Sequence, residues 1–465
     1  MLNSGDTAWV LASAALVMLM TPGLAFFYGG MVRSKSVLNM LMMNFVALGI
    51  VGVLWTFYGF SLSFGNDIGG GLLGGGEFLG FANTIGHLAG FAVTGDNPVA
   101  WPGPDAIPML AFAMFQLMFA VITPALASGS IADRVKFWSW CLWMVLWVTI
   151  CYFPVAHWVF SFDGFVGADA IGGWIANTNK LGALDFAGGT AVHINAGAAG
   201  LALAIVLGRR KGWPKEPMRP HNVPHVLLGA SLLWFGWFGF NAGSALTAGD
   251  LAGVAFTNTM IATCTAVLGW LVVEQIRDGK PTTLGAASGA VAGLVAITPA
   301  AGYVSLLGGV VIGFVAGAVC ALAVALKFRF RFDDSLDVVG VHLVGGLIGT
   351  LMVGLFGSTA VNSLSADGLF YGGGFTQLGK QAVAALSVMV YSFVIAAILA
   401  FIINKTIGFR ISEEDEVMGV DEAEHAETAY DFSSLGGGSG LHAAAAARIH
   451  DASPAEVAAG ARKES

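Results

Sequence analysis

The chain has 465 residues, 56% of them hydrophobic and 11% charged, with 65 glycines and 33 phenylalanines. Soluble domains carry roughly a quarter charged residues, so this composition excludes a mainly soluble protein and describes an integral membrane one. The formal charge of −8 belongs to the chain's end: residues 411–465 hold 12 acidic and 3 basic side chains, and the other residues hold 17 and 18. The body is therefore almost neutral and gives no ground for a nucleic-acid partner.

In chain order, the opening MLNSGDTAWVLASAALVMLMTPG lacks a basic leader, and its apolar run outlasts a signal peptide. It reads as a first membrane helix that stays in the protein. With about 20 apolar residues needed to cross a bilayer core, eleven helices are predicted: 8–31, 37–64, 107–132, 138–161, 187–208, 223–246, 251–275, 283–299, 304–327, 338–357 and 381–404. Residues 66–106 form an external Gly-rich loop without a GK[ST] phosphate motif. Of the 18 basic residues before position 411, 16 fall in alternate connections, and the other set holds only Lys180 and Lys380. That bias places the N-terminus outside and the C-terminus in the cytoplasm. The outer connections carry Asp6, Asp67, Glu77, Asp96, Asp105, Asp163, Asp169, Asp250 and Asp367. Either they form a cation-attracting vestibule, or outer loops merely lack Lys and Arg.

Eleven helices divide as five plus five plus one, and an odd-numbered half must invert its repeat. The fold class is thus an all-α membrane protein of inverted five-plus-five helices with a final helix. It splits into a membrane domain, 1–410, and a cytoplasmic regulatory tail, 411–465, whose distal part is expected to be disordered. Helix 5 carries Asp185 then His193, and helix 10 carries Asp337 then His342, a correspondence that points to a midplane site. An ionisable residue in hydrocarbon is a functional candidate by default. At about 1.5 Å per residue, His193 lies roughly 12 Å inward of Asp185 and His342 roughly 7–8 Å outward of Asp337. Across a core of about 30 Å this leaves an axial gap of about 10 Å, which deeper Asp placement would close. The competing reading is two separate, satisfied core histidines.

Asp337 is explained by capping the first turn of its helix, whereas Asp185 is divided between capping and orienting a bound cation. In helix 6, Phe240 and Ser244 share one face, a hydroxyl outside an aromatic ring, and in helix 3 Phe115 and Phe119 share another. Trp158 and Phe160 close helix 4, either as interfacial belt or as a cation–π wall over a pore. The four cysteines lack metal-type spacing and read as buried apolar groups. A hydrolase is disfavoured because Ser244 is not in a GxSxG turn and no HExxH occurs. No metal, cofactor or enzymatic activity is expected.

Several segments together resemble the ammonium transporter (Amt/Mep/Rh) family: PGLAFFYGGMVRSKSVLNM (22–40), FQLMFAVITPAL (115–126), LDFAGGTAVHINAGAAGL (184–201), GWFGFNAGSAL (236–246), DVVGVH (337–342) and GFRISEEDEVMGVDEAEHAETAY (408–430). The resemblance spans residues 5–430. It implies a homotrimer in the cell membrane, with one pore in each eleven-helix protomer and ammonium or ammonia as substrate. By residue, it implies a pore pair at His193 and His342, an essential carboxylate at Asp185, gating rings at Phe119 and Phe240, and a recruitment serine at Ser244. The family's usual recruitment tryptophan falls on Phe160, a weaker cation–π partner, to which Trp158 could add. The matching tail implies a trimeric PII-type partner at the cytoplasmic face. A second reading is an ammonium sensor signalling through that tail.

Overall fold

The structure, a computed structural model, describes residues 2–90, 106–167, 170–216 and 218–431. Its first compact unit runs from Met1 to Glu427 and contains every helix. The second, from Thr428, lies almost wholly outside the described residues, as do the expected distal disorder, Asp96, Asp105 and Asp169.

Among the described residues, ten helices are long and apolar enough to cross a membrane. They are α1 (Ser4–Met31), α2 (Val37–Phe64), α3 (Met109–Ile131), α4 (Phe137–Phe160), α5 (Gly189–Leu207), α6 (Val223–Gly243), α7 (Asp250–Asp278), α9 (Leu306–Phe330), α10 (Val339–Phe356) and α11 (Thr376–Thr406). The eighth predicted helix forms as α8 (Thr283–Ile297), with only 15 residues, about 22 Å of rise. From Gly289 onward every residue of α8 is buried, so other helices surround its second half. At 15 residues it is the shortest of the eleven predicted spans, and length and composition mark only the other ten as membrane-capable. The last helix starts five residues earlier than expected.

Helix pairing repeats five helices along the chain. α2 packs on α4 as α7 packs on α9; α3 packs on α5 as α8 packs on α10; and α1 lies along α6. α11 packs against α5 and α10. The central pair, α5 and α10, are not regular at their starts. Residues Gly189–Ile194 and Val339–Leu343 wind as π-helix, a form that is rare and concentrates at functional sites. Gly188, at φ +110°, sits in the left-handed region just before the first of these turns, a conformation glycine adopts without steric cost. A Cβ on Gly197 would lie 2.5 Å from the backbone nitrogen of Leu343, so only glycine lets α5 approach α10 here.

Of the acidic residues predicted to face outside, three are tied into their loops. Asp6 accepts from Thr247 Oγ1 and the Ala248 amide, Asp163 from the Gly172 amide, and Asp367 from Thr359. These three carboxylates act as staples that hold their loops.

Gly197→Leu is expected to destabilise the protein by about 1–3 kcal/mol through overpacking and to abolish transport by separating α5 from α10. Thermal unfolding in detergent and uptake into proteoliposomes measure the two effects.

Candidate functional site

The imidazoles of His193 and His342 meet. Their Nδ1 atoms are 3.4 Å apart, and the ring centroids are 5.4 Å apart at 24°. Both side chains are buried, at 1% and 2% exposure. An Nδ1–Nδ1 contact requires one ring to donate and the other to accept, so a single shared proton ties the two tautomers together. His193 stacks on Trp237 at 5.4 Å, and its Nε2 has no hydrogen-bond partner. A buried nitrogen without a partner is costly unless a passing solute or water meets it.

The approach of the two rings is much closer than the sequence arithmetic, and the reason is Asp185. This residue is buried, at 7% exposure. Its Oδ1 accepts from the amides of Gly188 and Gly189, and its Oδ2 from the amides of Thr190 and Ala191 and from Thr190 Oγ1. Five donors make it the cap of the π turn that carries His193. On the other half the cap is Asp334 and not Asp337. Asp334 Oδ1 and Oδ2 accept from the amides of Val338 and Val339, while Asp337, at φ +63°, pairs with Lys327 at 2.7 Å. The backbone reverses at residue 337, and that turns its side chain away from the helix start.

On the side of the pair that carries Asp185 and Ser244, Phe119 and Phe240 stack at 4.2 Å and 27°, and Phe240 lies 6.1 Å from His193. Beyond this double ring is a cavity of about 20 Å³, lined by Phe112, Gln116, Phe119, Phe160, Phe162, Phe165, Asp185, Phe186, Ser244, Leu246 and Tyr303. A single water needs roughly 10–15 Å³ on this measure, so the cavity holds one small molecule. Seven aromatic rings, the Asp185 carboxylate, the Gln116 amide and the hydroxyl-bearing Ser244 and Tyr303 line it, a chemistry that suits a cation. Ser244 Oγ donates to the Phe240 carbonyl at 2.8 Å, which leaves its lone pairs as acceptors. Ser244 also stands at the C-terminal end of α6, where the helix dipole favours positive charge.

The structure thus brings together His193, His342, Asp185, Phe119, Phe240, Ser244 and Phe160. Trp158 is set apart: its indole donates to the Leu72 carbonyl, its ring packs on Trp174 and Tyr391, and it does not line the cavity. Sequence reasoning missed Gln116, Tyr303 and Trp237. A glutamine within MFQLMF was a legible signal, since a polar side chain in a membrane helix needs a reason. Tyr303 and Trp237 left no such mark.

At the opposite end, charged groups cluster. Asp333 binds Arg210 at 2.8 Å and Arg134 at 3.6 Å, and Asp133 binds Arg33 and Arg210, each at 3.3 Å. Burial would raise Asp333, but hydrogen bonds from Arg210 and the charge of Arg134 hold it below the usual carboxylate range. Asp334 goes the other way. Burial and the neighbouring charge of Asp337 push it from 3.8 up to about 6, against the opposing pull of Lys327 and two amides.

The tail after Arg410 docks through acidic residues. Glu416 accepts from the Lys211 amide and from Arg410. Asp421 accepts the amides of Leu38 and Asn39 at the start of α2, and Glu424 that of Phe137 at the start of α4. His425 reaches Asn39 Oδ1 at 3.0 Å and lies edge-on to Phe137.

Helices bundled around a line of buried polar and aromatic groups define a multi-pass membrane transport protein. The sequence model of the Ammonium Transporter Family matches residues 8–430, and the chain belongs to that family. It is similar to an ammonium transporter of Mycobacterium bovis, 59% identical over 442 residues, covering 94% of this chain and 92% of that one. Among solved structures, Saccharomyces cerevisiae Mep2 superposes with a TM-score of 0.79 at 35% identity, covering 93% of both chains. A sensor Amt protein superposes with the same score at 28% identity, covering 90% of this chain and 98% of its own. The family is one of transporters rather than enzymes, and ammonium transport is the activity that membership supports.

Because Asp334 has a folded-state pKa above its unfolded value, its stabilising contribution is complete below about pH 4 and is lost as pH rises through about 6. Thermal stability is expected to decline across that window by up to roughly 3 kcal/mol, and Asp334→Asn is expected to flatten the decline. Melting curves of the purified protein from pH 4 to 8 measure it.

Proposed function

We propose that the protein carries ammonium across the cell membrane by recruiting the cation in the outer cavity, removing one proton, and passing ammonia along the His193/His342 pair. The single observation that carries this reading is the stacked Phe119/Phe240 seal between a one-molecule, cation-suited cavity and a buried imidazole couple. Ammonium and potassium have similar size and charge, so a sieve cannot separate them. Moving an ion into a low-dielectric interior costs several kcal/mol or more, whereas neutral ammonia escapes most of that cost. Potassium has no proton to lose, and the seal excludes it for that reason.

On this reading Ser244 and Phe160 receive the cation, and Phe119 and Phe240 gate it. Asp185 serves as a positioning residue: it holds the π turn under His193 and lends the cavity a fixed negative charge. The shared proton between the rings offers a route by which the released proton follows ammonia, which makes transport electrogenic. The full architecture proposed is eleven membrane helices in two inverted halves of five, with the N-terminus outside and the tail in the cytoplasm. Protomers assemble as a homotrimer with one pore each. The docked segment after Arg410 gives a PII-type protein a surface to act on. A dedicated sensor is the weaker reading; its support is the likeness to the sensor Amt structure.

Replacing both histidines by leucine is expected to cut ammonium current at least tenfold, because the apolar pair leaves ammonia and its proton no polar relay. Currents from purified protein on a solid-supported membrane test this, and an unchanged ammonium-selective current would remove the pair from the mechanism. Truncation after Arg410 separates transporter from sensor: transport is expected to persist with its regulation by nitrogen status lost. If the intact chain moves no ammonium and truncation abolishes only a downstream nitrogen response, the sensor reading holds.

A further inference from the structure

On the face that carries the docked tail, a second cavity opens between the ends of α5 and α9. Its volume is about 550 Å³, within the range of sites for small ligands. The floor is apolar: Leu201, Ala204 and Ile205 from the last turns of α5, and Phe330 at the end of α9. Ile205 and Phe330 are 54% and 67% exposed. Two arginines stand at the rim. Arg209 uses its Nε to donate to the Arg331 carbonyl at 3.0 Å, and its guanidinium lies 5.5 Å over the Trp213 ring. Arg331 adopts φ +60° as the left-handed residue that caps the end of α9. Neither guanidinium has a carboxylate partner among the described residues. The acid that does line the cavity, Asp333, is already engaged by Arg210 and Arg134.

Two unpaired guanidinium groups over an apolar floor, at the point where two membrane helices end, match a ligand with an anionic head and an oily body. A basic pocket between helices at the cytoplasmic boundary is a recognised form for such headgroups, and guanidinium is suited to bidentate phosphate binding. We propose that this cavity is a binding site for an anionic glycerophospholipid. Its phosphodiester lies between Arg209 and Arg331, and one acyl chain runs along Leu201, Ile205 and Phe330. A free phosphate ion would leave that floor wetted, which favours the lipid as occupant. The site is independent of the pore chemistry proposed above. An occupied cavity would clamp α5 to α9 next to Arg410, whose Nη1 donates to the Leu207 carbonyl, and so next to the root of the tail.

The test uses the full-length protein in a zwitterionic detergent, titrated with phosphatidylglycerol, phosphatidylcholine or inorganic phosphate, with native mass spectrometry and thermal shift as readouts. Phosphatidylglycerol is expected to bind and to raise the melting temperature, whereas phosphatidylcholine and inorganic phosphate do neither at equal concentration. R209Q/R331Q is expected to weaken phosphatidylglycerol binding about thirtyfold, from roughly one kcal/mol per basic residue. I205W keeps both charges and fills the floor, and is expected to weaken binding as well, which covers the case where the double variant folds poorly. R277Q, at a different part of the surface, is the charge control and is expected to leave binding unchanged. Equal binding of phosphatidylcholine, displacement by phosphate, or unchanged affinity in either cavity variant would each overturn the lipid site.

Discussion

An imidazole enclosed by apolar groups must find a polar partner, and in this protein two imidazoles find each other. The 3.4 Å Nδ1–Nδ1 contact between His193 and His342 fixes where α5 and α10 stand, and much of the central structure follows. The two helices approach closely enough only because Gly197 leaves room for Leu343. Each begins in a π turn, which sets its histidine inward, and each turn is capped by a buried carboxylate, Asp185 or Asp334. An aspartate at each helix start satisfies amides that would otherwise be orphaned in an apolar interior.

Selectivity on the proposed mechanism is a consequence of dryness rather than of fit. The outer cavity is built to hold a cation, with aromatic rings, a serine acceptor and a helix C-terminus. The next layer is two stacked phenylalanines, which offer no ligand to a dehydrated ion. The energetic step between these layers is what discriminates a protonated base, able to shed its charge, from an alkali cation of the same radius. Phe160 at the cage gives a weaker cation–π contribution than tryptophan, but six further rings share the work.

The helices were legible because hydrophobic length is a strong signal: all eleven predicted spans form helices with edges within a few residues. The eighth, Thr283–Ile297, is the shortest, and its second half is buried among other helices. Burial in a bundle looks the same in composition as burial in lipid. The two histidines were legible as polar residues in apolar surroundings, and the residues proposed for recruitment and gating came through the family resemblance. The geometry of the histidines' meeting was not, since π turns carry no sequence signature and neither does the burial of Asp185. The capping role given to Asp337 failed for a similar reason. A left-handed residue at 337 moved the cap three residues back to Asp334, and spacing alone does not encode that conformation. Trp158 was read by its place at a helix end, whereas its ring is committed to Trp174 and Tyr391.

The tail segment through Glu427 shares one compact unit with the membrane helices, held by acidic side chains on the amides at the starts of α2 and α4. That arrangement gives the cytoplasmic control proposed here a direct mechanical connection to α2 and to α4, which carries Phe160 of the cavity. The central claim, that charge leaves the permeant before it enters the dry path, is tested most directly by a kinetic isotope comparison. Transport current in reconstituted membranes would be measured for ammonium in water and for fully deuterated ammonium in heavy water, with potassium as control. If an N–H bond must break on the way, the deuterated current falls well below the protonated one and potassium carries none. Equal currents for the two isotopes, or a potassium current of comparable size, would contradict the account.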